Sequence, residues 1–412
     1  MKEKGAIAIL GGVRPHAELA KCLRAKGYKT ILIDYLPSPI AKEFVDIHYQ
    51  ESTLDIDSVE RICREENVCA IMDLCTDRAI PPAALVAERL GLKHPFSYET
   101  SLIATNKNRM KAMLKFAGIP TSDYVAVTTL DDVKNIKLKY PLIIKPSDAS
   151  GSIGITKITN EGELEEALKK ALESSRNQQA IAEEFIVGPE IQIDCFVSNG
   201  ELVVLDIKEK RKFTDEELTL SYGSLIPARI SGHVRQRCDE ISNAIAKYLN
   251  VENGPLYIQA IVTEQDVYVI EFGLRFGGNL SFQIIQDMTG INVVCATADA
   301  YLGLNPAISI RQPNLPVYAS YHIFPKEGVF SKIVGSEELI ADGSIDTFYT
   351  HKPLGMVCTG NMSSSERIAS FTVKSGSYEE NDRKLRHILH TLDVLDDQGK
   401  SIMRKDIYQQ DI

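Results

Sequence analysis

The first hundred residues alternate strand and helix without interruption, and that alternation restricts the possible folds more than any other feature. Ala6 to Leu10 reads as a buried strand, Gly11-Gly12 as a turn, Pro15 to Lys26 as a helix ended by Gly27, and Thr30 to Asp34 as a second strand. Asp57 to Glu66 predicts a helix, Ala70 to Leu74 a strand, and Pro81 to Leu90 a helix closed by Gly91. The segment Lys93 to Thr105 then leads into a helix over Lys107 to Ala117, stopped by Gly118-Ile-Pro120. Strands joined by helices run parallel, because the crossover returns the chain to the same end of the sheet, and such sheets are covered on both faces.

Residues 1–103 are therefore expected to form a Rossmann-like half. Nicotinamide binding would want G-x-G-x-x-G at the first turn, which Gly11-Gly12-Val-Arg-Pro does not supply, so Asp34 at the second strand end is little support for a dinucleotide. The two glycines still leave room for backbone to approach a small acidic substrate at a helix N-terminus. From Tyr140 the pattern changes to hairpins. Asn199-Gly200 separates Ile191–Val197 from Glu201–Leu205, and Glu264-Gln-Asp266 separates Leu256–Thr263 from Val267–Phe272. A helix over Asn160 to Leu172 opens on a capping box of Asn160 and Glu163. Residues 104–305 read as an α+β domain. Beyond them, the short strands Val317–Phe324 and Ile368–Val373 and a last helix, Tyr378–Leu392, suggest a small α+β module over 306–412. The expected class is thus mixed α/β and α+β in three parts.

Composition excludes several functions. A net charge of -10 over 412 residues argues against a nucleic-acid partner, whose phosphates need a basic face. No apolar run approaches the roughly 18 residues of a membrane span. The start, Met1 to Leu10, enters a strand rather than a signal segment, so a cytoplasmic protein without a membrane partner is expected. The eight cysteines contain no C-x-x-C pair and are expected to be reduced, structural thiols. His387 and His390 are expected on a solvated face of the last helix.

Chemistry concentrates in three clusters that come in a fixed order. Lys145 ends an apolar strand and leads into Pro146-Ser-Asp-Ala-Ser-Gly-Ser-Ile-Gly154, where small residues let backbone N–H groups turn towards an anion beside an ammonium. This is no Walker A loop, and a plain Ser/Gly-rich turn is the alternative. Glu183 and Glu184 close the strand Gln179–Ile186 ahead of Glu190. A carboxylate there can accept from an adenine amino group and Phe185 and Ile186 can cover the base, although a charged hairpin rim would read the same. Glu271 ends a third apolar strand just before Arg275 and Gly277-Gly278. Magnesium wants carboxylate oxygens beside phosphates, and an arginine stabilises a transferring phosphoryl, against the alternative of a structural Glu271–Arg275 pair. Together the three describe an ATP phosphate site.

In order and spacing the clusters resemble the ATP-grasp superfamily, in the branch with biotin carboxylase, carbamoyl-phosphate synthetase, the purine-pathway ligases and L-amino-acid ligases. The similarity covers nearly the whole chain. It implies the ATP-grasp fold, with a Rossmann-like pre-ATP-grasp domain (1–103), the ATP-grasp domain (104–305, its lid at about 140–186) and a C-terminal module (306–412). By the same resemblance Lys107 and Lys145 look like the nucleotide lysines, Ser147, Ser150, Gly151 and Ser152 fall in the phosphate loop, Glu183, Glu184, Phe185 and Ile186 line the adenine, and Glu190 matches the ribose acid. Gln259 and Glu271 occupy the positions that hold Mg2+ or Mn2+, and Arg275 and Lys145 the catalytic ones. The chain departs from the usual E-x-N-x-R in Glu271-Phe-Gly273-Leu-Arg275, which lacks the asparagine.

The implied reaction is attack of a substrate carboxylate on ATP, followed by displacement of phosphate from the acyl phosphate by an amine. Positioning and charge neutralisation suffice for it. The carboxylate, an amino acid or similar small acid, and the amine are small molecules, with ATP and magnesium as cofactors. Arg229, Asn279 and Ser281 are candidate acceptor-pocket residues, and the basic stretch Lys208–Lys212 either reaches an anionic substrate or is a solvated loop. Rival expectations are a carboxylase, for which no Met-Lys-Met carrier sequence is present, a carbamoyl-phosphate-synthetase-like enzyme, for which one copy of the cluster exists, and a non-catalytic ATP-binding pseudo-ligase, favoured by Gly273 and the neutral Gln259. Members of the superfamily often pair, so a homodimer is an expectation.

Overall fold

The structure, a computed structural model, describes residues 4–149, 153–213, 220–278, 280–311, 316–361, 363 and 366–411. Contacts divide the chain into two units, one of residues 1–122, 192–206 and 231–312, the other of 123–191, 207–230 and 313–412.

The first unit begins with β1 (Ala6–Leu10), α1 (Arg14–Ala25), β2 (Lys29–Ile33), β3 (Ile47–Tyr49), α2 (Ile56–Glu65), β4 (Val68–Met72) and α3 (Ile80–Leu90). The four strands form a sheet in the order β3-β2-β1-β4, all parallel. Strand alternation sends Ile7 and Ile9 into one apolar cluster and Ala6, Ala8 and Leu10 into another, so both faces are buried, as the sequence pattern requires. Gly91 takes the left-handed conformation that ends α3 (φ 65°). Two helices follow, α4 (Tyr98–Thr105) and α5 (Lys107–Phe116), each opened by a side-chain cap, Ser97 and Asn106.

The second unit continues with β5 (Tyr124–Val127), β6 (Leu142–Pro146), β7 (Thr156–Ile158), α6 (Leu164–Ser174) and β8 (Ala180–Glu184). Its strands pair antiparallel in the order β5-β8-β6-β7, and α6 covers one face through Leu164, Ala167, Leu168 and Ala171. Further along the chain lie β9 (Glu190–Ser198), β10 (Glu201–Lys212), β11 (Ser221–Ile226), α7 (Gly232–Tyr248), β12 (Gly254–Val262), β13 (Val267–Gly273), α8 (Ser281–Thr289), α9 (Val293–Tyr301) and β14 (Val317–Ile323). Asn199 and Gly200 both have positive φ (53° and 77°), the two-residue turn the Asn-Gly pair predicts. In the second unit β14 is flanked by β11 and by the strand Ala369–Ser375, and the helix Tyr378–Thr391 packs Leu385, Ile388 and Leu389 into their core.

One alternative and one expectation are corrected. The stretch Lys208–Lys212 is no solvated loop but the end of β10, with Lys208 only 2% exposed. The eight thiols are not all reduced, because Cys22 of α1 and Cys295 of α9, with Cα atoms 5.9 Å apart, form a disulfide. Compartment was the only ground for expecting free thiols, and helix packing brings these two together from opposite ends of the unit's sequence. Among the described residues, no helix is long and apolar enough to cross a membrane.

Candidate functional site

In the second unit, β6 and β8 lie side by side, with Ile143 opposite Glu183 and Lys145 opposite Ile181. Lys145 Nζ reaches Glu183 Oε1 at 2.6 Å, and both residues are only 4% exposed. Both are buried, so either charge alone would cost several kcal/mol there, and their pairing offsets that cost. The loop after Lys145 is tied down at its start. Ser147 donates its hydroxyl to Asn177 (2.9 Å) and its N–H to the Gln179 carbonyl (2.9 Å), while Asp148 accepts from the Ser175 hydroxyl (2.9 Å) and the Arg176 N–H (3.2 Å). Ser150, Gly151 and Ser152 lie outside the described residues. At Gly154 (φ 71°) a Cβ would stand 2.8 Å from Pro146 and Ser174, so only glycine closes the loop there.

Glu184 accepts the Lys139 N–H at 2.9 Å, Phe185 carries the Lys157 ammonium over its ring at 4.3 Å, and Ile186 follows, half-buried. Glu190 pairs with Lys212 of β10. Arg229 grips Glu209 with two bonds, Nε at 3.2 Å and Nη2 at 2.9 Å. Burial would raise the Glu209 pKa, but Arg229 and Arg211 outweigh it and hold the carboxyl below its usual range.

In the first unit, Lys107 is the first residue of α5, directly after the Asn106 cap. The β12–β13 hairpin places Gln259 opposite Glu271 and Tyr257 opposite Gly273. Residues facing each other across an antiparallel pair share a sheet face, so the amide and the carboxylate project together. A Cβ at Gly273 would lie 2.3 Å from the Tyr257 ring, which means the ring occupies the space a side chain there would need. The Tyr257 hydroxyl donates to Glu271 Oε1 (3.3 Å) and accepts from Arg275 Nη2 (3.1 Å). Arg275 also bonds Asp77 through Nε (2.5 Å) and Nη2 (2.8 Å) and the Phe276 carbonyl through Nη1 (3.0 Å), with its guanidinium 4.1 Å from the Tyr257 ring centroid. The carboxylate partner of Arg275 is thus Asp77, with Tyr257 standing between the arginine and Glu271.

Electrostatics follow from this packing. Burial disfavours the charged Arg275, yet the Asp77 carboxylate and Tyr257 more than offset it, so the guanidinium pKa is held well above its ordinary value. Burial, with Glu271 and Asp77 adding to it, drives the Tyr257 phenol well above its normal range despite the opposing Arg275 charge, so it stays a neutral donor. After Arg275, Gly277 donates its N–H to Asp194 (2.6 Å), and Asp194 also receives the Gln192 amide (2.8 Å). Ser281 opens α8, and Asn279 lies outside the described residues.

The donor set suits a hard cation. Magnesium takes oxygen ligands and is commonly held by one or two carboxylates plus substrate phosphates, and Glu271 with the Gln259 amide oxygen offers hard oxygens on one hairpin face. Among the described residues no three His, Cys, Asp or Glu side chains group to hold a metal, so phosphate oxygens would have to complete such a shell. Four residues of this first-unit cluster escape a reading of motifs: Asp77, Tyr257, Gln192 and Asp194. Asp77 sits after the carboxyl end of β4, the side of a parallel sheet where ligands bind, and Tyr257 faces Gly273 in the hairpin register; those were the available signals.

Residues 138–283 match the protein family described as "ATP-grasp domain". They form an ATP-grasp domain. It includes Lys145, Glu183, Gln259, Glu271 and Arg275. The likeness to solved structures extends along the rest of the chain. The L-amino acid ligase of Bacillus licheniformis superposes on 96% of this chain and 100% of its own, with a TM-score of 0.83 at 24% identity. The biotin carboxylase domain of Hydrogenobacter thermophilus 2-oxoglutarate carboxylase, crystallised with MgADP and bicarbonate, superposes on 96% of this chain and 91% of its own (TM-score 0.74, 16% identity). These likenesses show the fold, which is the one expected from the sequence. Among curated relatives, a carbamoyl phosphate synthase large chain from Thermoanaerobacter is 29% identical over 291 residues, 68% of this chain. The chain spans 26% of that relative's length, and 18% of multifunctional protein pyr-3 of Neurospora crassa, to which it is 24% identical over 343 residues.

Proposed function

We propose that this protein is an ATP-dependent carboxylate–amine ligase that releases ADP and phosphate through an acyl phosphate. The observation that carries the proposal is the hairpin cluster of the ATP-grasp domain. Glu271 and Gln259 share one face, and beside them Arg275 is held in a fixed pose by Asp77 and Tyr257. That set neutralises and orients oxyanions, which is what phosphoryl transfer demands of a protein.

Gln259 and Glu271 would hold magnesium, which when bound supplies positive charge to phosphate oxygens. Lys107 and Lys145 contribute ammonium groups to the phosphates, and Ser147 with Ser150, Gly151 and Ser152 belongs to the loop that would cover them. Glu183, Glu184, Phe185 and Ile186 line the adenine and Glu190 meets the ribose. Arg275 stabilises charge on the phosphoryl group as the carboxylate attacks, and Arg229, Asn279 and Ser281 shape the acceptor pocket. A lid over 140–186 would exclude water while the acyl phosphate survives. An amino acid is the favoured carboxylate, by analogy with the L-amino acid ligase whose fold matches over nearly the whole chain. The likeness to carbamoyl phosphate synthase supports a second reading, with bicarbonate as the acid and ammonia as the amine.

ADP release over a pairwise panel of acids and amines with magnesium, bicarbonate and ammonia included, tests both. The ligase proposal expects release that requires one acid and one amine together and falls at least about 100-fold in Glu271→Ala. Release that accepts only bicarbonate as the acid and ammonia as the amine selects the second reading. Nucleotide binding without turnover across the panel makes the protein a pseudo-ligase and overturns both.

A further inference from the structure

We infer that Asp77 is a positioning residue for Arg275, which presents a single guanidinium N–H to the reacting phosphoryl group; this rests on the ligase proposal above. A guanidinium has five N–H donors in a rigid fork. Asp77 takes the Nε donor at 2.5 Å and one Nη2 donor at 2.8 Å, Tyr257 takes the other Nη2 donor at 3.1 Å, and the Phe276 carbonyl takes one Nη1 donor at 3.0 Å. These bonds account for four donors and leave one, on Nη1. The bidentate pair and the ring beneath it, 4.1 Å away, lock the plane of the fork, so that remaining N–H points one way.

Asp77 lies in a one-turn 3-10 helix, Asp77–Ala79, between β4 and α3, far in sequence from the Glu271–Gly278 segment. The Rossmann-like sheet thereby sets the direction of a group on the hairpin strand's continuation. Gly273 is part of the same arrangement. Asp77 Oδ1 stands 3.1 Å from where a Cβ at 273 would be, so any side chain there would intrude on the Asp77–Arg275 bond as well as on the Tyr257 ring. Charge alone predicts the opposite consequence: a carboxylate on Arg275 masks it. Masking and positioning predict opposite signs when the carboxylate is removed.

The experiment compares the parent with Asp77→Asn, Asp77→Glu and Tyr257→Phe, using ADP release with the best acid–amine pair and crystal structures of each variant. Positioning predicts that D77N loses about 100-fold in kcat with KM for ATP within about threefold of the parent, because a misplaced charge costs the transition state more than the ground state. Y257F, which keeps the ring and the ion pair, is expected to lose about tenfold in kcat, and D77E to retain more activity than D77N. Parental or raised kcat in D77N overturns the inference, as does an equal rise in KM and fall in thermal midpoint with no change in kcat. If D77N does not fold, Y257F and D77E carry the decision, parental kcat in both being the overturning result. If the parent releases no ADP with any pair, the ligase proposal fails on its own. The crystal structures then decide Asp77: a displaced Arg275 in D77N or D77E supports positioning, and an unmoved one refutes it.

Discussion

At the scale of single residues, the molecule spends buried charge in pairs. Lys145 and Glu183 are each 4% exposed and meet at 2.6 Å, so removing one takes a close, buried opposite charge away from the other. Lys145→Ala is expected to destabilise the fold by about 3–5 kcal/mol, whereas the double change Lys145→Met with Glu183→Leu should recover most of that loss in urea unfolding. His94 makes a different use of burial. Its Nε2 is buried without a partner and desolvation pushes the ring's pKa down to about 4, below the usual 6.5. The neutral form is favoured in the fold, so the stabilisation is complete above pH 6.5 and is lost as the pH falls towards 4. The ring keeps some solvent contact, so the loss is about 2 kcal/mol, and His94→Asn should flatten the pH dependence of the urea midpoint across that window. Lys145, Glu183 and Glu271 were legible in the sequence as charges near the ends of apolar strands, and Arg275 as a charge just ahead of Gly277-Gly278. Asp77 was not, since nothing in Leu74-Cys-Thr-Asp77 says which distant cation it will meet.

At the scale of elements, the β12–β13 hairpin does most of the arranging. Its register puts Tyr257 over Gly273 and Gln259 across from Glu271. Gly273→Ala forces a methyl group to 2.3 Å from the tyrosine ring, so it should cost about 1–3 kcal/mol in urea unfolding through overpacking. A parental urea midpoint for that variant would mean the ring has somewhere else to go. Sequence patterns located β1, β12, β13 and the Asn199-Gly200 turn within a residue or two, because strand alternation and turn chemistry are local. The helices α4 and α7 to α9 escaped. In α9 (Val293–Tyr301) nearly every side chain is buried, so no polar stripe marks its period, and α8 has Leu280 at its N-cap, which offers no capping side chain. The basic end of β10 leaves two readings open in the sequence for a related reason. Lys208 is inside, and a buried lysine on a strand looks in sequence like a lysine in a loop.

At the scale of the whole molecule, one covalent link joins positions 273 residues apart, Cys22 and Cys295. Closing so long a loop removes much of the unfolded chain's freedom, about 5 kcal/mol by loop-entropy reasoning. Reduction, or the Cys22→Ser change, is expected to lower the urea midpoint of the first unit accordingly, and an unchanged midpoint would show that the link adds nothing. No motif announces this bond, because the two cysteines lie on helices whose contact depends on the finished fold. It carries a further consequence for handling the protein. A protease that nicks the backbone once anywhere between the two cysteines cannot liberate a fragment. The cut molecule would migrate as a single band in denaturing gels until a thiol reagent is added, and an apparent resistance to digestion would then be no measure of rigidity.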